Sequence, residues 1–308
     1  MNSAKPEQQL RMPSYGGQAV MEGVLMRGKK VVAMAVRAPD GEIVTFREDL
    51  PQFYRSKWMK MPIIRGMLGL WDALSLGLTW LTKSANVQAG TDEKLEGKDL
   101  FFTVIFSLVV AIGVFFLLPA FLAGWLDGLL YLGPWWSNLL EGVIRLAILV
   151  GYLAVIGRIP DIARTFAYHG AEHKTINAFE AGAPLTTEEV ARQSLVHPRC
   201  GTSFILTLVL ISILFFSLLG PLPLYLRLVS RILLLPLVAG IAYEYIRWAA
   251  GAMDKSAFVR ALIRPNLALQ SLTTREPSKD VLEVAITAFK LMYAAETGEI
   301  EAPPGQDA

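Results

Sequence analysis

The chain has 308 residues, 53% of them hydrophobic against 18% charged, with a mean hydropathy of +0.43 and a formal charge of +2. That mixture departs from an ordinary soluble domain and points to membrane spans. So small a charge, with no basic run interleaved with aromatics, excludes nucleic acid as a partner, and a single cysteine excludes an intramolecular disulfide.

Residues 1–15 are polar and read as a flexible N-terminus, and because the first long apolar run comes near residue 100, no secretory signal is expected. Residues 16–60 read as a small cytoplasmic β domain. Within it Gln18–Arg27, Lys30–Ala38 and Glu42–Glu48 alternate partially in hydrophobicity, and Pro39-Asp40-Gly41 suits the turn of a hairpin. Gly16, Gly17, Gly23 and Gly28 mark either turns and bulges or a close approach of the backbone to a ligand. Residues 61–99 hold an amphipathic helix and a linker. Ile64, Leu68, Trp71, Leu74, Leu78 and Leu81 recur at helical spacing over about 62–83, which fits the membrane interface or packing against spans.

A helix needs about 20 apolar residues to cross the hydrocarbon. Segments near 101–124, 137–157, 203–220 and 227–248 approach that length, so residues 100–157 and 203–248 are expected to form two transmembrane hairpins. Arg145, Pro236 and Glu244 interrupt these runs and should face protein as well as lipid. Lys and Arg are absent from the 125–136 connection, but Lys83, Lys94 and Lys98 precede the first span. Arg158, Arg164, Lys174, Arg192 and Arg199 lie in 158–202, and Arg247, Lys255, Arg260 and Arg264 follow the last span. Positive charge favours the cytoplasmic side, so both termini should be cytoplasmic. Arg227 and Arg231 run against the rule and would snorkel. The expected fold is an α-helical polytopic membrane protein with four transmembrane helices, a small N-terminal β meander and cytoplasmic helices. Residues 249–300 supply the C-terminal helices, the last over about 279–295 between Ser278 and Gly298, and 301–308 form a Pro-rich disordered tail.

Between the two hairpins, residues 158–202 read as a cytoplasmic helical hairpin with a candidate metal site. All three histidines and the only cysteine fall between residues 169 and 200, an arrangement with a chance of roughly one in two hundred at random. Pro160 suits a first helical position and Gly182 a stop, so one helix should carry His169, Glu172, His173 and Glu180 on a shared face. His169-Gly170-Ala171-Glu172-His173 is an H-x-x-E-H pattern, in which two imidazoles one turn apart can bind a metal and the glutamate can serve as general base. His197-Pro198-Arg199-Cys200 could return a third and fourth ligand, after about ten residues of helix beginning at Thr186-Thr187-Glu188-Glu189. Glu180 is an alternative third ligand, which would leave His197 and Cys200 to substrate or to supporting duties. The competing readings are histidines that only hydrogen-bond at the membrane surface, a small buried cysteine, and a nucleophilic Cys200–His197 pair with Arg199 beside it. With all four ligands bound a divalent metal, zinc before others, would be closed and structural; with fewer it would keep a position for water.

Gly16–Gly28, Tyr168–Ile176, His197–Phe204 and Leu269–Pro277 together give the chain a further character. In these stretches it resembles the YqhQ family of bacterial membrane proteins, commonly labelled predicted metal-dependent enzymes. The resemblance implies a bacterial inner (plasma) membrane and a metal site on the residues already singled out, but no substrate or reaction. It also draws Glu22 and Arg27 toward the metal face as possible ligands or supporting groups, unless they simply pair with each other. Three functions are then in competition: a metal-dependent hydrolase with Glu172 activating water, acting on a membrane protein or lipid-linked molecule at the bilayer; a non-enzymatic scaffold or assembly factor with a structural metal; and a transporter, for which intramembrane charges are few unless the protein forms a homo-oligomer.

Overall fold

The structure is a computed structural model and describes residues 15–51, 56–90, 97–220, 222–253 and 255–299. Residues 1–14 and the tail 301–308 lie outside the described residues. Tyr15, placed by the sequence reading in a flexible terminus, is buried in the core.

The N-terminal region is a sheet of four antiparallel strands in sequential order, β1 (Gly16–Val20), β2 (Gly23–Arg27), β3 (Val31–Arg37) and β4 (Ile43–Asp49). The stretch read as one strand, Gln18–Arg27, turns back on itself at Met21-Glu22, where Val20 pairs with Gly23 and Glu22 adopts a φ of 50°. No Asn-Gly or Asp-Gly advertises that turn. The Pro39-Asp40-Gly41 turn forms as read, with Gly41 at a φ of 93°. Both faces of the sheet are covered, which is why its alternation is weak in sequence. Val24, Met26, Ala33 and Ala35 pack against α5 (Pro160–Glu180) and α11 (Lys279–Thr297), while Val20, Leu25, Val32, Met34 and Val36 pack around Trp80 of α1 (Ile64–Ala89).

The inner side of α1 carries Gly66, Asp72, Gly77, Trp80 and Ser84, whereas Met67, Trp71, Leu74, Leu78 and Leu81 are exposed. The apolar stripe legible in the sequence is thus the outward face. A Cβ on Gly66 would stand 2.9 Å from the Cα of Gly240, so α1 crosses α9 (Leu235–Ala252) at a contact of small residues. Beside that crossing Arg65 pairs with Glu244, whose carboxylate also accepts from the Ile63 N–H at 3.2 Å.

α2 (Gly97–Ile112), a π-helical turn (Gly113–Leu117) and α3 (Leu118–Leu130) run on as one rod, followed by α4 (Gly133–Ile156). The rod extends beyond the expected end near 124. It stops at Tyr131, where φ is 52° and Asp127 accepts from the Gly133 N–H at 3.1 Å. Phe102–Leu130 and Trp135–Ile156 are long and apolar enough to cross a membrane. The expected four spans are met only in part. α8 (Leu224–Leu233) and α9 bend by 47° at their junction and make a third span if taken together, and the apolar part of α7 (Gly201–Ser217), Ser203–Ser217, is shorter than a crossing needs. α10 (Ala257–Thr273) packs on α7, where Asn266 donates to Thr207 Oγ1 at 2.7 Å.

Candidate metal centre

α5 begins at Pro160, as its missing N–H allows, and ends at Ala181 before Gly182, whose φ is 67°. His169 and His173 lie one turn apart on it, with ring centroids 4.4 Å apart. A backbone carbonyl orients each ring: His169 Nδ1 lies 2.8 Å from Thr273 O, and His173 Nδ1 lies 2.6 Å from Leu195 O. Since a carbonyl only accepts, both Nδ1 atoms carry the proton, and in the neutral rings both Nε2 atoms present lone pairs. His169 Nε2 meets Cys200 Sγ at 3.2 Å. His173 Nε2 is buried and has no hydrogen-bond partner among the described residues. The donor atoms of His169, His173 and Cys200 all lie within 4.8 Å of one another.

The expected helix of about ten residues before His197 is only five residues long, α6 (Thr187–Ala191), capped by Thr186 Oγ1 accepting from the Glu189 N–H. Its continuation would have consumed carbonyls that α5 uses instead. Lys174 Nζ donates to Ala191 O at 2.6 Å, and Asn177 Nδ2 donates to Ser194 O at 2.8 Å and Val196 O at 3.1 Å. Pro198 then keeps His197 out of the helical region. Gln270 of α10 accepts from the His197 N–H at 3.0 Å and donates to His197 O and Ser203 Oγ, both at 2.8 Å, fixing the loop that carries Cys200.

Glu172 turns toward the sheet, where its carboxyl group comes close to the Gly17 N–H. Burial pushes its pKa up to about 7, against the opposing pull of His169 and of that N–H. A Cβ on Gly17 would lie 2.6 Å from Leu25 O and 2.9 Å from Glu172 Cγ, so this glycine marks close approach to a site side chain. Gly170 has the same role on the other flank, because a Cβ there would run into the carbonyl of Arg275.

The remaining candidates are placed elsewhere. The His197 ring lies 5.7 Å from that of His173, but its Nε2 faces Glu180 Oε2 at 3.7 Å and Arg199 Nη2 at 3.4 Å. Burial lowers the His197 pKa despite the Glu180 contact. For Glu180, burial raises the pKa, yet the contacts with His197 and Arg199 together outweigh it and hold the carboxyl below its usual range. Glu180 also pairs with Arg199, so it is engaged outside the His169–His173–Cys200 group. Glu22 and Arg27 do not pair with each other. Glu22 is held by Arg164 and by Tyr168 Oη at 3.2 Å, and Arg27 pairs with buried Asp72. Sequence reasoning passed over Gln270, Thr273 and the Leu195 carbonyl. The first two lie inside the Leu269–Pro277 stretch, to which the family resemblance pointed; the backbone carbonyls of Thr273 and Leu195 carry no side-chain signal.

Among the described residues, fold and site define a mostly helical protein with two to three apolar helices of membrane-crossing size and a His–His–Cys cluster, partly exposed only at His169, beside a small sheet. The chain belongs to the family described as protein of unknown function (DUF1385), which matches residues 61–295. It is similar to the "Uncharacterized protein YqhQ" of Bacillus subtilis (strain 168), 35% identical over 301 residues that cover 92% of this chain and 93% of that one. No solved structure matches it.

Proposed function

We propose that this chain is a multi-pass inner-membrane protein of bacteria in which His169, His173 and Cys200 hold a divalent metal, zinc by its preference for imidazole and thiolate, at the cytoplasmic membrane surface. The observation that carries the reading is His173 Nε2, a buried lone pair without a partner among the described residues, beside two further donors and fixed by the carbonyl behind it. Metal-ligating histidines characteristically have their other ring nitrogen held in this manner. Tetrahedral zinc sets its imidazole and thiolate donors about 3.3–3.6 Å apart, and the 3.2 Å between His169 Nε2 and Cys200 Sγ is close to that spacing. With His197 given to Glu180, the protein supplies three ligands, the number found at zinc sites that keep one position for water. Bound zinc would supply Lewis acidity and an acidified water, the chemistry of a hydrolase. Glu172, buried beside His169, would take up and return the proton. A membrane protein or lipid-linked molecule suits the location, since α5 begins only four residues after the end of α4 and His169 stands about 14 Å of helix beyond that start.

A second reading, a structural metal in a scaffold or assembly factor, is favoured by Glu172 lying against Gly17 of the sheet, outside the donor group. Elemental analysis of the detergent-purified full chain tests both. Wild type and Glu172→Gln should carry stoichiometric metal, and His169→Ala, His173→Ala and Cys200→Ala should lose it. Wild type without stoichiometric metal ends the proposal. If Glu172→Gln keeps the metal and complements a deletion strain fully, the scaffold reading replaces the hydrolase.

The same proposal takes α7 as a short third span and bent α8–α9 as a fourth, with both termini cytoplasmic. The absence of Lys and Arg from 125–136 and the exposed apolar faces of α1, α2 and α3 support it. A topology reporter inserted at residue 132 should report the external side; a cytoplasmic signal there would reverse the assignment.

A further inference from the structure

A second polar cluster lies at the far end of α7 from Cys200, about 24 Å along the helix at 1.5 Å per residue. Its centre is Glu141 of α4, buried, with Arg145 Nη2 at 2.7 Å and Arg227 Nε and Arg231 Nη2 both at 3.3 Å. Three guanidiniums meet one carboxylate, leaving two positive charges; among the described residues no other carboxylate pairs with any of them. Arginine does not shed its proton in proteins, so the excess charge stands. It is also desolvated. Arg145 and Arg231 side chains are 5% and 3% exposed, with the Arg231 guanidinium 4.3 Å from the Phe216 ring. Neutral acceptors complete the cluster: Asn138 takes bonds from Arg227 at 2.7 Å and Arg231 at 3.2 Å, and the Phe115 carbonyl, whose helical donor four residues on would be Pro119 with no N–H, accepts from Arg145 Nε at 2.9 Å.

Snorkelling does not account for these side chains, because Arg227 and Arg231 turn their heads into the protein, onto α4. The apolar residues of α8, Tyr225, Val229, Ile232 and Leu233, face outward instead. Burying an uncompensated charge among apolar helices is unfavourable without a counter-ion. Exposed Tyr131, Trp135, Trp136 and Tyr225 gather at this end, as aromatics do at headgroup level. Glu141 lies about 8–9 Å of helix beyond Trp135 and Trp136.

We infer that Arg227 and Arg231, backed by Arg145, form a binding site for a phosphate ester on the face opposite the metal centre, with Arg227, the most accessible of the three, as the entry contact. Guanidinium forks match phosphate oxygens in pairs, and one phosphate dianion balances the two excess charges. The ester belongs either to a lipid headgroup or to a soluble molecule. Native mass spectrometry and thermal unfolding of the full chain in a neutral detergent distinguish them, using short-chain phosphatidic acid, glycerol 3-phosphate and inorganic phosphate as probes and diacylglycerol as the phosphate-free control. Wild type should bind phosphatidic acid saturably and diacylglycerol not at all. Binding should weaken at least roughly tenfold in Arg227→Gln and tighten in Glu141→Gln, opposite shifts that a general loss of structure would not produce. Saturable binding of the soluble probes alone supports the site with a soluble ester as its ligand. No saturable binding of any phosphate probe to wild type, or equal binding by wild type and Arg227→Gln, overturns the inference.

Discussion

Gln270→Leu is a sharp test of how the loop carrying Cys200 is held, because it keeps side-chain bulk while removing every hydrogen bond the amide makes. Gln270 is fully buried and holds three groups: the His197 N–H at 3.0 Å, the His197 carbonyl at 2.8 Å and Ser203 Oγ at 2.8 Å. The N–H of His197 loses its acceptor outright. Its carbonyl still receives the Cys200 N–H at 3.3 Å, and Ser203 can turn its hydroxyl elsewhere. One fully stranded group and two weakened ones, at about 1–3 kcal/mol for a buried unsatisfied group and about 1 kcal/mol for each ordinary bond lost, give roughly 3–5 kcal/mol. Hydrogen exchange followed by mass spectrometry on the detergent-solubilised full chain is the suitable assay, since it reads local opening of this loop and not only global unfolding. Peptides spanning 195–203 should lose protection by roughly two to three and a half orders of magnitude, at about 1.4 kcal/mol per decade, while the sheet peptides stay unchanged. Ser203→Ala, which removes one bond, should cost only about 0.5–1.5 kcal/mol. If Gln270→Leu and Ser203→Ala gave the same small loss, Gln270 would not be the anchor of this loop.

Three further outcomes follow from the site. Gly17→Ala should destabilise the packing of β1 on α5 by about 1–3 kcal/mol, seen as a lower thermal midpoint; an unchanged midpoint would mean that Glu172 is free to move aside. Arg27→Ala should leave metal content at the wild-type level while lowering stability by about 1–3 kcal/mol through buried Asp72; loss of metal would put Arg27 back at the centre. Chelation of the proposed metal should raise maleimide labelling of Cys200, the chain's single cysteine and a buried one; equal labelling with and without chelator would argue against the thiolate as a ligand.

Much of the fold was legible because its signals are local. Pro160, Gly182 and Gly298 bound α5 and the end of α11 as read, each through a backbone property that acts where the residue stands, and Ser278 takes the N-cap position of α11 as read, without a side-chain capping bond. The failures share a cause in tertiary contact. Glu22 accepts a left-handed φ without a turn signature, with its side chain held by Arg164 and Tyr168 from α5. The stripe on α1 was legible as a period but not as a direction. Whether Trp71 and Leu74 face protein or surroundings depends on Gly66 and Trp80 winning the inner side, through partners more than 40 residues away.

The site shows the same division at finer scale. Spacing alone sufficed to put His169 and His173 on one face, and clustering drew attention to His197 and Cys200, but a shared sequence neighbourhood does not make a ligand set. Two residues separate His197 from Cys200, and the turn at Pro198-Arg199 sends their side chains to different partners, the thiol to His169 and the imidazole to Glu180. Arg199 strengthens that split, because it pairs with Glu180 and keeps the carboxylate beside His197. Glu180 and His197, read as alternatives for the third ligand, instead lie against each other at 3.7 Å, outside the His169–His173–Cys200 group. A donor group of three is the consequence, and the reading of this centre as open to water rests on it, so the variant most informative about the chemistry is His197→Ala. It should keep the metal if the donor group is His169, His173 and Cys200, and lose it if His197 swings in as a fourth ligand.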